Sequence, residues 1–177
     1  KASIQDYVMR NWSMVRTGST SSQKSLFFNM RRVQARLERE AAAAGMSLDR
    51  HQLREMIASG AIGEVRMIQS SFGFSMGKFQ PGHRLFASDL AGGGILDVGG
   101  YPVSMARLIA GAAMGKPFAD PVKVAGTANL NAEGTDDWAA AILTFENGIV
   151  AQVSCAVMAN LDNVLRIHGS EGRIEVP

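Results

Sequence analysis

The residues with the clearest chemical potential are an aspartate and a tyrosine in a glycine-rich stretch, residues 92–102, with the sequence GGGILDVGGYP. Three consecutive glycines allow the backbone to adopt positive φ and to approach another group closely. We expect no core-packing requirement for such a run. Asp97 and Tyr101 place a carboxylate and a phenol beside it, with room for a ligand, and this combination predicts a binding or catalytic site.

A helix should follow and position these two side chains. Pro102 suits the first position of a helix because its φ is fixed and it has no N–H to leave unpaired. Apolar residues then recur at helical spacing, and Gly111 can end the helix. We therefore expect Asp97 and Tyr101 at the start of this helix.

Both residues also have a structural interpretation. An aspartate before a helix often accepts a backbone N–H bond as its N-cap, and from the residues alone this role and catalysis are equally well supported for Asp97. Tyr101 as an amphipathic cover for the helix start is the interpretation that we favour less.

Residues 75–91 lack a regular period and lead directly into the glycines. A loop of this length in a compact domain is usually functional or disordered, and its position favours function. His83 and Arg84 are its candidates for substrate contact, with a solvated loop as an equally supported alternative. No group of His, Cys and carboxylate residues has the spacing of metal ligands, so no metal site is predicted.

The remaining pattern predicts an α+β fold. A helix is expected near residues 49–59. Strands are expected at residues 62–74, 122–130, 137–145, 149–158, 164–168 and 173–176. Asn147-Gly148 between two apolar runs predicts a type I′ hairpin. Successive hairpins imply a mostly antiparallel open sheet with helices on one face.

The 177 residues are 46% hydrophobic, with a formal net charge of +2, which suits a globular protein and gives little support to a nucleic-acid or membrane partner. The single cysteine, Cys155, lies in an apolar run, so a buried side chain is expected rather than a nucleophile. It also excludes an intrachain disulfide and suits a reducing, cytoplasmic location. No apolar run is long enough to span a bilayer.

We divide the chain at about residue 45. Residues 1–40 are rich in Arg and Ser, and we predict a loop at residues 16–25 and a helix at residues 29–45, leaving partial disorder open. Residues 46–177 are predicted to form the α+β domain, truncated at its carboxyl terminus.

Three segments of the chain resemble, in the same order, parts of the carboxy-terminal domain of Gfo/Idh/MocA dehydrogenases. They are residues 57–66 (IASGAIGEVR), 92–102 and 164–176. The nearest subgroup contains dimeric dihydrodiol dehydrogenase and NADP-dependent xylose dehydrogenase, because Tyr101 stands where many relatives have histidine. The resemblance covers about residues 50–177 and is specific in the glycine–Asp–Tyr block.

The resemblance implies an NAD- or NADP-dependent oxidoreductase acting on a sugar, polyol or cyclic alcohol. It implies that Tyr101 exchanges a proton with the substrate oxygen and that Asp97 orients substrate hydroxyl groups. Gly93 and Gly94, together with the loop candidates His83 and Arg84, are expected to contact substrate. The resemblance also implies a homodimer formed through the open sheet face.

Two features of this family are missing from the sequence: the G-x-G-x-x-G turn of its dinucleotide-binding domain, and a Glu-Lys-Pro motif whose lysine activates the tyrosine. We therefore expect the chain alone neither to bind the cofactor nor to turn over. The main hypothesis is the substrate-binding and dimerisation part of an oxidoreductase. The alternative is a non-catalytic assembly module, because strands over residues 137–158 are apolar on both faces.

Overall fold

The structure, a computed structural model, describes residues 50–176, which form a six-stranded sheet and two helices. In chain order the elements are α1 (Arg50–Ala58), β1 (Val65–Gly73), α2 (Gly100–Ala113), β2 (Lys123–Leu130), β3 (Asp136–Thr144), β4 (Val150–Ala156), β5 (Leu165–Gly169) and β6 (Arg173–Val176). A π-helical turn, Ile95–Gly99, leads directly into α2. The predicted α+β fold is confirmed.

The strands lie in the order β2-β3-β4-β1-β5-β6. Within the described residues, neighbouring strands are antiparallel except β1 and β4, which are parallel. The exception arises because the chain crosses the sheet as α2 before it forms the β2–β3–β4 meander, and a parallel pair needs such a crossover. The sheet is therefore mixed but mostly antiparallel, as predicted.

The main core lies between one face of the sheet and the two helices. Leu53 and Ile57 of α1 and Ile109 of α2 pack there with Ile68 of β1, and all four are buried. Their positions follow from a helical period in the helices and from strand alternation in β1. The opposite face of the sheet has no helix from the described residues over it.

The start and end of α2 differ from the prediction. The helix begins at Gly100, so Pro102 is its third residue rather than its first. It also continues through Ala113, and Gly111 lies inside it. A β-carbon at Gly111 would lie only 2.6 Å from the Cα atom of Phe118, so this glycine permits close packing rather than ending the helix.

The hairpin between β3 and β4 is confirmed, but its predicted turn type is wrong. Phe145 and Ile149 close a three-residue loop, and the N–H of Phe145 donates to Ile149 O at 2.9 Å. A type I′ turn needs positive φ at both central residues, whereas only Gly148 of this loop has it, at 82°. This geometry belongs to a type I turn followed by a left-handed residue.

The predictions for the loop at residues 16–25, the helix at residues 29–45 and the division near residue 45 lie outside the described residues. Over residues 50–176, neither helix is long and apolar enough to cross a bilayer.

Candidate functional site

The glycine run brings the loop of residues 74–94 against the start of β3. A β-carbon on Gly93, whose φ is +104°, would collide with the carboxylate of Asp136, and one on Gly94 would lie 3.0 Å from Asp136 Oδ2. A β-carbon on Gly92 would lie 2.9 Å from Arg84 O. The expectation that packing does not require these glycines is wrong, because Asp136 and the loop backbone fill the space beside them.

Asp136 also holds the start of the helical segment that follows. Its side chain is buried, with 7% of the residue exposed, and Oδ2 accepts a hydrogen bond from the N–H of Ile95 at 2.8 Å. Ile95 is the first residue of the π-helical turn. An acceptor at this position satisfies one of the backbone donors that a helix leaves unpaired at its start.

Asp97 lies inside the π-helical turn and pairs with the loop. Its Oδ1 accepts a hydrogen bond from Arg84 Nη1 at 2.8 Å. The Asp97 side chain is 20% exposed and that of Arg84 is 67% exposed. The residues that cap the two helical segments are Gly94 and Gly99, without a side-chain hydrogen bond, so the N-cap interpretation of Asp97 is wrong.

Tyr101 lies in the first turn of α2, four residues after Asp97, and is 58% exposed. Its ring contacts Phe72 near the end of β1, with the ring centroids 5.2 Å apart and tilted by 44°. Within the described residues its hydroxyl has no hydrogen-bond partner. The phenol is therefore supported on one side and accessible at its oxygen.

Apolar side chains lie exposed beside this pair. Ile95 and Leu96, the two residues before Asp97, are 51% and 67% exposed. The site thus combines a carboxylate, a guanidinium and a phenol with uncovered apolar surface, which suits a ligand with a carbon skeleton and a few hydroxyl groups.

The other predicted site residue, His83, supports the loop locally. Its Nδ1 accepts a hydrogen bond from the N–H of Leu85 at 3.3 Å, and its ring centroid lies 6.0 Å from that of Phe86. Among the described residues no contact joins His83 to Asp97 or Tyr101, whereas Arg84 reaches Asp97 directly. Asp136 was missed by the sequence analysis, although an acidic residue at the start of an apolar strand is a usable signal.

A cavity of about 530 Å³ lies beside the π-helical turn and the start of α2. Its lining is largely apolar and includes Ile95, Pro102, Val124, Leu143 and Cys155. Neither Asp97 nor Tyr101 lines it. Burial raises the pKa of the Cys155 thiol to about 11, with a smaller contribution from the negative charge of Asp136, so Cys155 is a poor nucleophile.

Two features of residues 50–176 bear on cofactor binding, the potential metal ligands and the start of the π-helical turn. No three His, Cys, Asp or Glu side chains of residues 50–176 come together as metal ligands. Phosphates of a dinucleotide usually bind at a helix start that follows a glycine-rich turn. Here the carboxylate of Asp136 already accepts the N–H of Ile95 at that place, and its charge would repel a phosphate.

Comparison with known proteins places this domain among oxidoreductase sequences. The family model described as the GFO/IDH/MocA C-terminal domain matches residues 51–175. The chain is 29% identical over 124 residues to trans-1,2-dihydrobenzene-1,2-diol dehydrogenase of Mus musculus, covering 70% of this chain and 34% of that protein. The chain thus spans about a third of the length of this relative.

A solved structure with this fold is that of KijD10, a 3-ketoreductase from Actinomadura kijaniata in complex with NADP and TDP-benzene. It is 25% identical, with a TM-score of 0.61, and the match covers 73% of this chain and 37% of that chain.

A shorter similarity is to the RNA polymerase sigma factor RpoH of Rhizobium radiobacter. The two sequences are 55% identical over 38 residues, which is 22% of this chain and 13% of that protein. The two kinds of relative are different classes of protein, and the sigma-factor similarity covers the smaller part of the chain.

Proposed function

Because the chain belongs to the GFO/IDH/MocA C-terminal domain family, we propose that residues 50–176 are the substrate-binding part of an NAD- or NADP-dependent oxidoreductase. The substrate is a sugar, polyol or cyclic alcohol, and a cyclic vicinal diol is the class that we favour. The observation that carries the proposal is the arrangement of Asp97, Arg84 and the accessible phenol of Tyr101 beside exposed apolar surface. Similarity to a dehydrogenase named for a diol supports the substrate class.

The Asp97 carboxylate is suited to orient a hydroxyl group. Arg84 holds Oδ1 at 2.8 Å, and within the described residues Oδ2 accepts no hydrogen bond. A carboxylate oxygen accepts strongly from a hydroxyl donor. A substrate hydroxyl bound to Oδ2 would be fixed next to the start of α2.

Tyr101 is the proposed proton donor and acceptor. An alcohol that is oxidised must lose the hydroxyl proton, and a carbonyl that is reduced must gain one, so a positioned phenol can serve both directions. Tyr101 follows Asp97 by one helical turn, and we propose that it meets the second oxygen of a vicinal diol. Phe72 limits the motion of its ring.

The start of the π-helical turn, where the phosphates of a cofactor could otherwise bind, is occupied by Asp136. KijD10, which shares the fold, was solved with NADP. We therefore propose that this domain contributes substrate binding and proton transfer while another domain holds the nicotinamide.

Two further properties of the protein stay predictions, namely a cytoplasmic location and the lack of a nucleic-acid partner.

A titration of the 177-residue chain tests the proposal. We expect trans-1,2-cyclohexanediol to shift the NMR signals of Asp97 and Tyr101, and Asp97→Asn to abolish the effect. NADPH fluorescence should not change with the chain alone. Diol-induced shifts that avoid residues 84–101 would contradict the proposed site.

Turnover is measured after fusion to a dinucleotide-binding domain of a relative. Tyr101→Phe should lower kcat by about 100-fold or more, since general acid–base groups contribute that much. Tyr7→Phe changes the only other tyrosine and is the matched control. Equal kcat for both variants would contradict the proposed role of Tyr101 as the proton donor.

A second candidate function is assembly through the uncovered face of the sheet. Trp138 and Ile142 of β3 lie on this face and are 46% and 42% exposed. At its centre Gln69 Nε2 donates to Gln152 Oε1 at 3.2 Å, and His168 lies 3.4 Å from Gln69 Oε1. An apolar strip beside paired amides suits contact with a second copy, so we propose a homodimer through this face.

A further inference from the structure

Three hydrogen bonds connect the turn between β2 and β3, together with the first residue of β3, to the segments that carry Arg84 and Asp97. Glu133 Oε1 accepts from the N–H of Gly82 at 2.8 Å. Thr135 Oγ1 donates to Phe86 O at 2.8 Å, and Asp136 Oδ2 accepts from the N–H of Ile95 at 2.8 Å. Two adjacent residues thus hold both sides of the site.

We propose that Thr135 and Asp136 are positioning residues, which keep Arg84 and Asp97 at ion-pair distance and so orient Asp97 toward substrate. The inference rests on the proposed function. Phe86, held by Thr135, is two residues after Arg84, and Ile95, held by Asp136, is two residues before Asp97. Neither positioning residue touches the ion pair itself.

The ion pair needs this support because its cation is largely exposed. Exposed ion pairs contribute little free energy and do not hold two chain segments in place by themselves. Thr135 and Asp136 are both 7% exposed, so their hydrogen bonds are protected from water. A buried partner that is removed leaves an unpaired polar group, which is costly. The two buried contacts are therefore the stronger constraint on Arg84 and Asp97.

Hydrogen bonds within the turn orient the side chain of Thr135. Asn131 Nδ2 donates to Thr135 Oγ1 at 2.8 Å and to Asp137 Oδ1 at 3.0 Å. Asn131 Oδ1 accepts from the N–H of Glu133 at 2.9 Å. Because Thr135 Oγ1 accepts from Asn131, its own hydrogen is directed toward Phe86 O. The hydroxyl thus has a fixed role as donor to the loop.

The glycine run completes the arrangement. Gly93 and Gly94 have no side chains to keep the Asp136 carboxylate away from the helix start. The N–H of Gly93 donates to Leu85 O at 2.8 Å, which joins the two held segments to each other. The glycine run therefore leaves the space that the Asp136 side chain occupies, in addition to any contact that it makes with substrate.

Paired variants of the full 177-residue chain test the proposal. Asp136→Asn keeps an acceptor oxygen for Ile95 and Thr135→Ser keeps the hydroxyl, whereas Asp136→Ala and Thr135→Val remove them. Asp120→Ala removes a carboxylate that pairs with Arg107, outside this hydrogen-bond network, and is the control. The readouts are affinity for trans-1,2-cyclohexanediol by NMR and hydrogen exchange of residues 83–101 by mass spectrometry.

We expect Asp136→Ala and Thr135→Val each to weaken diol affinity and speed exchange of residues 83–101 by about tenfold, the size of one lost buried hydrogen bond. Asp136→Asn, Thr135→Ser and Asp120→Ala should stay within about twofold of the unsubstituted chain. Affinity is measured well below the unfolding temperature of each variant. Lower thermal stability with unchanged affinity would overturn the positioning role, because that is the result of a merely structural one.

The two proposals fail differently. If the unsubstituted chain gives no diol-induced shift, the proposed function fails, and the exchange data alone decide whether the loop and the helix start are held by these residues. If the diol binds and Asp97→Asn abolishes binding while Asp136→Ala and Thr135→Val do not weaken it, the positioning role fails and the function stands. Should Asp136→Ala not fold, Thr135→Val decides.

Discussion

The carboxylate of Asp136 occupies the place that a β-carbon on Gly93 would take. Asp136 begins β3, and Gly93 lies two residues before the π-helical turn. The contact joins residues 43 positions apart and lets a buried acid reach the N–H of Ile95. The π-helical turn that carries Asp97 can therefore begin in this way only because position 93 is a glycine.

Gly93→Ala should destabilise the domain. Alanine at a φ of +104° is strained, and its β-carbon would collide with the Asp136 carboxylate. We expect a loss of about 2–4 kcal/mol in the free energy of unfolding, from backbone strain and overpacking together. Urea denaturation followed by circular dichroism measures it.

Gly100→Ala is the control for this substitution. Gly100 has a helical φ of −58°, and no atom lies within 4 Å of the position of its β-carbon. Alanine favours a helix by about 1 kcal/mol over glycine, so stability should be unchanged or slightly raised. Equal losses for the two variants would show that the Gly93–Asp136 contact has no energetic role.

Much of the fold was predictable from local pattern. The alternation that buries Ile68 and the helical spacing of Leu53 and Ile57 follow from the sequence, because these residues have one apolar face to cover. The start of α2 was not predictable in the same way. Pro102 is acceptable anywhere in a first turn, and the π-helical turn depends on Asp136, a residue distant in sequence.

The geometry of the candidate site was predictable in part. Asp97 and Tyr101 were identified from their glycine neighbours, and the structure places them one turn apart with Arg84 against Asp97. The sequence alone left two roles open for Asp97, N-cap and catalysis, because both require a carboxylate at this position. Asp136 was missed because its partner, Ile95, is not recognisable as such without the fold.

The Arg84–Asp97 pair should show measurable coupling in a double-mutant cycle of Arg84→Met and Asp97→Asn. Because the Asp97 side chain is mostly buried, we expect about 1 kcal/mol in the free energy of unfolding, less at high salt. The Arg107–Asp120 pair, 2.6 Å apart with the Asp120 side chain 81% exposed, is the comparison and should couple more weakly. Stronger coupling at Arg107–Asp120 would contradict this assignment.

The free energy of unfolding should fall at high pH because of the buried thiol of Cys155. Burial, the larger cause, and Asp136 raise the pKa of Cys155 from 9.0 to about 11, so the folded state holds the thiol proton over a pH range in which the unfolded state releases it. The stabilisation is complete below pH 9 and is lost as the pH rises toward 11, by roughly 3 kcal/mol in all.

Urea unfolding at pH 8 and pH 10.5 measures this loss. Cys155→Ala removes the titrating group and should show a smaller decrease between the two values. A thiol reagent such as Ellman's should also react slowly with the folded chain at pH 8 and quickly in urea, because Cys155 is 5% exposed. Rapid reaction of the folded chain would contradict the burial of this thiol.

The proposed homodimer should depend on the uncovered sheet face. Ile142 of β3 lies on that face, and the side chain of Val124 on β2 lies on the helix-bearing face, although both are exposed. A lysine at position 142 would be buried without a partner in a face-to-face dimer, and an unpaired buried charge is costly. We therefore expect Ile142→Lys to weaken association by about 100-fold or more in sedimentation equilibrium, while Val124→Lys leaves it within about threefold. A chain that sediments as a monomer at micromolar concentration, or equal weakening by both substitutions, would contradict assembly through this face.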